Sequence, residues 1–206
     1  AVPQIRFGSR RHVCFPLAEG RGLLHTSMRV LLNIDLGELP EEPEDLYLLA
    51  DAVSVACGGH AGDAASMASA LRACAAHGTR AGAHPSYPDR ARFGRSSMSI
   101  PLDALERAIR EQCSTLAAVA RSTGTALAHA KLHGALYHDA SRDRAIAEAC
   151  ARGIVDALGP VTIVGPSHSE IERLARTVGC RFEREGFADR AMRPVGSLVP
   201  RSEPGA

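Results

Sequence analysis

The sequence contains no tryptophan, only 4% aromatic residues and no long uninterrupted apolar run. The scarcity of aromatic side chains argues against a protein that stacks single-stranded bases on aromatic rings. No stretch approaches the roughly 20 consecutive apolar residues that a membrane-spanning helix requires. The formal net charge is only +1, so the chain also lacks the surplus of basic residues typical of nucleic-acid-binding proteins. We therefore expect neither a nucleic acid nor a membrane as a partner.

The six cysteines form no C-x-x-C pair and no tight cluster. Cys74, Cys113 and Cys150 fall on the faces of predicted helices, where a free thiol behaves as a small apolar group. This usage indicates a reducing compartment, and we expect the protein to be cytoplasmic.

The chain has 206 residues, of which 45% are apolar, and this is enough for one domain with a substantial core. Residues 1–27 differ from the rest, because they carry four arginines against one acidic residue and show no clear periodicity. We interpret them as a disordered N-terminal extension without a catalytic role, with a targeting leader as the alternative. Residues 28–206 are expected to form a single catalytic domain.

From Met28 onward, short apolar runs alternate with helical patterns. We predict strands at residues 30–34, 52–56, 80–83, 127–130, 161–164 and 180–184, and helices at residues 43–50, 64–77, 101–124, 141–158 and after 167. Ser167 and Glu170 are expected to form a capping box at the start of the last helix. Strands that alternate with helices pair in parallel through right-handed crossovers. Periodicity leaves open whether this sheet closes into a barrel.

Four segments that directly follow predicted strands hold most of the histidines and acids that do not resemble solvated surface. They run from Asn33 to Glu38, 56 to 63, 82 to 89 and 129 to 133. In a parallel α/β sheet or barrel, the carboxyl ends of the strands converge on one face, where active sites lie. The pattern therefore predicts an enzyme, and a metal-assisted one.

Asp35, His60 and His84 would together make a three-ligand site for Zn²⁺ or a similar divalent ion, with one position open for water. Asp35 could instead act as a general base or satisfy turn amides, and either histidine could simply bond a loop carbonyl. Glu38 could share the role of Asp35, but it begins an acidic run, and we interpret it as solvated. Asp63 stands where the next helix should begin, so capping explains it.

His129, Lys131 and His133 alternate along one strand end and so should point to the same side. That side would be the barrel interior or crevice. A lysine is costly there unless it meets an anion or a carboxylate. We therefore expect a functional Lys131.

Arginines in the long loops are candidates for binding a carboxylate or phosphate, since a guanidinium group recognises such anions with two hydrogen bonds. Arg90 and Arg190 each follow an aspartate directly and are the strongest of these candidates. The full candidate set for substrate or anion binding is Arg90, Arg95, His129, Asp189, Arg190 and Arg201.

Five segments also resemble the signature segments of a known family. They read N-I-D-L-G-E, A-C-G-G-H-A-G-D, G-A-H-P-S-Y-P-D-R-x-x-F-G-R, H-A-K-L-H-G-x-L-Y, and F-A-D-R followed by G-S-L-V-P-R-S. The sequence is similar in these segments, and in their order, to the family of 5-oxoprolinase component A, the lactam-utilisation proteins.

This resemblance implies an irregular parallel β/α barrel of the α/β class, related to the polysaccharide-deacetylase-like folds. It also implies ATP-dependent hydrolysis of 5-oxo-L-proline to L-glutamate together with two partner proteins, components B and C. The family activates the lactam by phosphorylation on those partners, and this chain has no P-loop of its own, so we expect ATP to be bound by the partners. Family members normally continue past G-S-L-V-P-R-S by a strand and a helix, so we expect the barrel to lack its last strand–helix unit.

The resemblance also implies roles for the candidate residues. Asp35, Lys131 and His133 would be catalytic, with Lys131 and His133 stabilising the oxyanion or protonating the leaving nitrogen. Asp35, His60 and His84 would supply the water, with or without a divalent metal. Two alternatives stay open: a metal-dependent deacetylase or amidohydrolase of an acylated sugar or amine on the same scaffold, and an inactive truncated copy.

Overall fold

The computed structural model describes residues 30–188 together with residues 191 and 199. Its six strands are β1 (Asn33–Leu36), β2 (Ala52–Ala56), β3 (Arg80–His84), β4 (Leu127–Lys131), β5 (Thr162–Pro166) and β6 (Phe182–Glu185). Its six α-helices are α1 (Glu44–Leu49), α2 (Ala64–His77), α3 (Leu102–Thr123), α4 (Gly134–Arg142), α5 (Arg144–Leu158) and α6 (Glu170–Thr177). A short 3₁₀ helix occupies Arg90–Arg92.

The strands form one sheet whose spatial order equals the chain order, β1 to β6, and every neighbouring pair is parallel. Each connection therefore moves one strand along the sheet, as helical crossovers between parallel strands do.

The sheet is curled into a half-barrel. Lys131 on β4 lies 3.1 Å from Asp35 on β1 and 3.2 Å from Glu185 on β6. Neighbouring strands lie about 4.8 Å apart, so a flat sheet would separate β1 from β6 by about 24 Å. One ammonium group can reach both edge strands only because the sheet wraps around it. The structure thus confirms the predicted β/α barrel type of fold.

Helix α3 shows how the helices cover the outside of this sheet. The helical spacing predicts one apolar stripe on this helix, and its central residues Leu105, Ile109, Cys113 and Leu116 are fully buried, whereas Leu102 at the start of the stripe is 42% exposed and Val119 at its end is partly buried. The five cysteines of the described residues are all free and buried, and burial raises the pKa of the Cys57 thiol to about 12. These thiols are packing groups.

The ends of helix α2 match the sequence prediction. The Asp63 carboxylate accepts hydrogen bonds from the backbone N–H groups of Ala65 and Ser66, both at 2.9 Å. Gly78 ends the helix in the left-handed conformation, with φ of 68°. The predicted bounds of β2 and α2 are confirmed.

Three local predictions are wrong. Strand β1 begins at Asn33 instead of residue 30, at an edge of the sheet, and the apolar side chains before it are exposed, with Val30 at 81% and Leu32 at 47%. The helix predicted at 141–158 begins at Arg144 because Asp143 caps it through the N–H groups of Ala145 and Ile146, and the residues before it form a separate helix, α4, that was not predicted. The cap of α6 is Ser169, not Ser167, and its Oγ accepts a hydrogen bond from the Glu172 N–H.

No helix among the described residues is long and apolar enough to cross a membrane. The predicted N-terminal extension lies outside the described residues.

Candidate active site

Four side chains meet at the carboxyl ends of the first four strands. Each of Glu38, His60, His84 and His133 offers one ligand atom, and these atoms all lie within 4.8 Å of one another. His84 is the last residue of β3, and the other three follow β1, β2 and β4 within a few residues. The convergence of strand ends on one face therefore assembles a compact cluster, which we call the His–Glu cluster.

The contact between His84 and His133 reveals what this cluster requires. His84 Nδ1 lies 2.8 Å from the Lys131 carbonyl oxygen, and His133 Nε2 lies 3.0 Å from the Phe93 carbonyl oxygen. A carbonyl oxygen can only accept, so both of these ring nitrogens carry a hydrogen. In neutral rings, the opposite nitrogens, His84 Nε2 and His133 Nδ1, therefore carry lone pairs.

These two nitrogens lie 3.0 Å apart, so that their lone pairs face each other. Such a contact is repulsive unless a proton or a cation lies beside it. Burial, together with the neighbouring rings of His84 and His60, lowers the pKa of His133, which disfavours the proton. Histidines that donate one ring N–H to a backbone carbonyl and present the other nitrogen are typical of metal sites. The arrangement fits a cation.

His60 and Glu38 complete the cluster. The His60 ring stacks on His133 with centroids 3.6 Å apart, and its Nε2 lies 2.9 Å from Glu38 Oε1. Burial lowers the pKa of His60, which keeps this ring neutral. Burial raises the pKa of Glu38, but the hydrogen bond from His60 and the nearby His84 and His133 outweigh it, and the net shift is downward. One carboxylate and three imidazoles form a donor set suited to Zn²⁺.

The prediction that Glu38 is solvated is wrong. Its side chain is only 18% exposed and turns toward the histidines. The local charge run suggested solvent, but the turn after β1 directs this one carboxylate inward.

Lys131 forms a second group beside the cluster. Its Nζ donates to Asp35 Oδ1 and Oδ2 at 3.1 and 3.2 Å, and it lies 3.2 Å from Glu185 Oε2. Burial opposes the charged form, but Asp35 and Glu185 outweigh it and raise the pKa of Lys131. Burial likewise raises the pKa of Asp35, but His84 and Lys131 shift it strongly downward. The group is thus a stable ammonium between two carboxylates.

Asp35 links the two groups, since its Oδ2 lies 3.3 Å from His84 Nε2. Two of the metal ligands expected from sequence, His60 and His84, belong to the His–Glu cluster. The third, Asp35, lies beside the cluster and is bonded to Lys131. His133, expected as a proton donor, belongs to the cluster.

His129 points into the half-barrel, one layer below Lys131. Its Nε2 lies 3.3 Å from Ser54 Oγ, and a Cβ on Gly82 would come within 2.4 Å of its ring. The absence of a side chain at Gly82 therefore makes room for the imidazole. Burial, aided by the positive charge of Arg80, lowers the pKa of His129 to about 4.

The arginine candidates lie at the rim or outside the described residues. Arg90 Nη1 donates to the carbonyl oxygens of Gly58 and Gly62 at 3.1 and 2.8 Å, so it anchors the loop that carries His60. Arg95 is exposed, and its guanidinium lies 4.9 Å from the centre of the Phe93 ring. The candidates Asp189, Arg190 and Arg201 fall outside the described residues.

Sequence reasoning missed Glu185 and Tyr137. Glu185 is the last residue of β6, so the rule that strand ends carry function could have found it. Tyr137 lies on α4, a helix that was not predicted. Burial and the Glu185 carboxylate raise the pKa of Tyr137, so its hydroxyl stays protonated.

Comparison with known proteins places the chain in a family. The model of the LamB/YcsF family matches residues 30–206. This chain belongs to the LamB/YcsF family. The match confirms the resemblance of the five sequence segments to the lactam-utilisation proteins.

A solved structure of the same kind supports the assignment. The chain is similar to the crystal structure of the lactam utilization protein from Thermus thermophilus, with a TM-score of 0.81 and 35% sequence identity. The alignment covers 87% of this chain and 74% of that chain. The LamB/YcsF member described here therefore shares the β/α barrel-like fold of that protein.

Proposed function

We propose that this chain is component A of an ATP-dependent 5-oxoprolinase, the lactam-opening component, which hydrolyses 5-oxo-L-proline to L-glutamate with components B and C. Membership of the LamB/YcsF family and the likeness to a lactam utilization protein support the substrate class. The observation that carries the hydrolytic part is the contact between His84 and His133, whose facing lone pairs fit a cation. The chain has no P-loop, which supports ATP binding on the partner components.

The cluster residues fit a divalent ion, and Glu38, His60, His84 and His133 would hold it. A divalent ion bound there supplies Lewis-acid chemistry and makes water a better nucleophile at neutral pH. This donor set, in which the pKa values of His60 and His133 are lowered, suits Zn²⁺ or a similar ion.

Lys131 is the residue we assign to the carbonyl oxygen of the substrate. In the opening of the activated lactam, the oxygen of water bonds to the carbonyl carbon, the ring C–N bond breaks and the nitrogen takes up a proton, and a second water releases, as inorganic phosphate, the phosphoryl group that the partners had transferred. Negative charge develops on the carbonyl oxygen, and a fixed ammonium stabilises it. In this proposal one N–H of the Lys131 ammonium is shared between the two Asp35 oxygens and a second N–H donates to Glu185, so that the third of its three N–H donors is left for the substrate.

Asp35 has the supporting role in this proposal. Its lowered pKa makes it a weak general base, so we assign it to holding Lys131 in place. His133 is assigned to the cation. We assign Arg95 at the rim to the substrate carboxylate. The same role is proposed for Arg90, Arg190 and Arg201.

The test is glutamate release from 5-oxo-L-proline by this chain mixed with components B and C, with and without ATP. We expect release only with ATP and both partners. Lys131→Met should lower kcat about 100-fold or more, while Arg107→Gln, which changes an exposed ion pair on α3, should leave it unchanged. Lack of release by a chain that circular dichroism shows to be folded contradicts the proposal.

A deacetylase or amidohydrolase is the second candidate, and the cluster itself favours it, because metal-assisted amide hydrolysis needs no ATP. Acetate release from acetylated sugars or amines by the isolated, Zn²⁺-loaded chain would support this function. A folded chain that is inactive in both assays would indicate an inactive copy.

We also propose that residues 28–206 form the catalytic domain and that residues 1–27 are dispensable. A chain beginning at Met28 should retain the activity and melting temperature of the full chain.

A further inference from the structure

We infer that Glu42 is a positioning residue, whose carboxylate holds residues 37–39 in the conformation that directs Glu38 to the three histidines. Glu42 thereby sets the affinity of the His–Glu cluster for a divalent cation. The part concerning the cation rests on the proposed function. The part concerning the loop does not.

Four donors converge on the Glu42 carboxylate. Oε2 accepts from the Gly37 N–H at 2.7 Å and from the Tyr47 hydroxyl at 2.8 Å. Oε1 accepts from the N–H groups of Glu38 and Leu39 at 2.9 and 3.2 Å. Three successive backbone amides that point at one carboxylate form an anion-binding nest.

The backbone amides of this loop depend on the Glu42 carboxylate for their hydrogen-bond partners. Strand β1 ends at Leu36, so the following amides have no partner in the sheet. Leu39 is 59% exposed and contributes little apolar packing. Gly37 has φ of 75°, a left-handed conformation that lets the chain turn sharply out of β1.

Glu38 is consequently tied at both ends. Its backbone N–H donates to Glu42, and its side chain accepts from His60 at 2.9 Å. A change at Glu42 would therefore move a cluster residue without touching the cluster directly.

Helix α1 supplies the anchor for Glu42 through Tyr47, which is 5% exposed. Burial and the Glu42 carboxylate raise the pKa of Tyr47, so its hydroxyl remains a donor. The chain of contacts runs from α1 through Glu42 to the loop and then to Glu38.

A carboxylate is specifically required at this position. An amide side chain has one acceptor oxygen, and its NH₂ group would face N–H donors. Glu42→Gln keeps the size of the side chain but replaces one of its two acceptor oxygens with an NH₂ group. Glu41→Gln is a matched control, because Glu41 is the adjacent residue, has the same charge and is exposed.

The experiment uses the full chain and two measurements. NMR hydrogen exchange reports the opening of the Gly37, Glu38 and Leu39 amides, and calorimetry with Zn²⁺ alone reports cation affinity. In Glu42→Gln, exchange at these amides should rise at least tenfold and Zn²⁺ affinity should fall about 10–100-fold, as for other residues that orient metal ligands. Glu41→Gln should leave both unchanged.

Unchanged exchange in Glu42→Gln would overturn the inference. So would faster exchange with unchanged Zn²⁺ affinity, because Glu42 would then hold the loop without positioning a ligand. If the unchanged chain binds no Zn²⁺, the proposed cation site fails together with the affinity part of the inference, while exchange still decides the role in the loop. If Glu42→Gln does not fold, Tyr47→Phe replaces it, with a smaller change expected in the same direction.

Discussion

At the scale of single residues, the central feature is a lysine between two carboxylates. Lys131 is 5% exposed, and its ammonium contacts both Asp35 and Glu185. Burying a charge is costly unless it is paired, so each member of this group depends on the others. The same contacts that stabilise the ammonium prepare it to stabilise negative charge on a substrate.

Lys131→Met should therefore destabilise the fold as well as lower kcat. The substitution leaves two carboxylates facing each other, and we expect the free energy of unfolding to fall by about 3 kcal/mol. This value is at the low end of the range for broken buried ion pairs, because Asp35 is partly exposed. In the unchanged protein the pKa of Asp35 lies below 3.8, so its stabilisation is present above pH 3.8 and is lost as pH falls further. Urea unfolding of both proteins checks this, because the destabilisation caused by Lys131→Met should be smaller at pH 3 than at pH 7. An equal destabilisation at both pH values would contradict it.

His129 should make stability depend on pH in a different window. Its pKa falls from 6.5 to about 4 on folding, so the unfolded chain binds more protons between these values and stability decreases as pH drops through them. A difference of this size corresponds to about 3 kcal/mol.

The check is urea unfolding of the unchanged chain and of His129→Gln from pH 7.5 to pH 4. The unchanged chain should lose more stability over this range, by about the stated amount. Parallel curves for the two proteins would show that His129 is not the titrating group.

At the scale of elements, helix ends determine where the site residues lie. Strand β4 ends at Lys131, and α4 begins three residues later, so His133 is held in the short turn between them. Asp143 then separates α4 from α5, because its side chain accepts the N–H groups of Ala145 and Ile146. Without this cap, the two helices would have unsatisfied backbone groups at their junction.

Asp143→Ala should thus lower the free energy of unfolding by about 1 kcal/mol, the usual effect of removing an N-cap. Asp143→Asn is the matched control, since asparagine caps helices as well as aspartate does. Thermal unfolding of the three proteins measures the difference, and equal losses in both variants would indicate a charge effect instead of a cap.

At the scale of the whole molecule, the His–Glu cluster connects segments far apart in the chain. Its four members follow four different strands, from Glu38 after β1 to His133 after β4. A ligand that binds only this folded arrangement stabilises it by mass action.

Zn²⁺ at 100 times its dissociation constant should raise the free energy of unfolding by about 2.7 kcal/mol, which corresponds to a rise in Tm of about 5–10 °C for a protein of this size. His84→Ala should abolish the rise. His77→Ala, a histidine on α2 that pairs with Glu44 outside the cluster, should retain it. Differential scanning fluorimetry with and without Zn²⁺ measures the effect, and an equal rise in both variants would place the ion elsewhere.

Much of this protein was determined by the sequence itself. Apolar runs and turn residues predicted six strands and their alternation with helices, and the bounds of β2 and α2 follow directly from local hydrophobic pattern and the Asp63 and Gly78 caps. The convergence of strand ends predicted that His60, His84 and Lys131 would meet. These features depend on local propensity and on general rules of parallel sheets, which a single sequence contains.

The choice among similar side chains was decided only by the tertiary structure. Glu38, Glu41 and Glu42 belong to one acidic run, yet Glu38 joins the histidines, Glu42 holds the turn and Glu41 stays in solvent. Glu185 on β6 reaches Lys131 on β4 across the inside of the curled sheet. The direction of a side chain at a turn and the curl of a sheet depend on contacts between residues distant in sequence, and no local pattern specifies them.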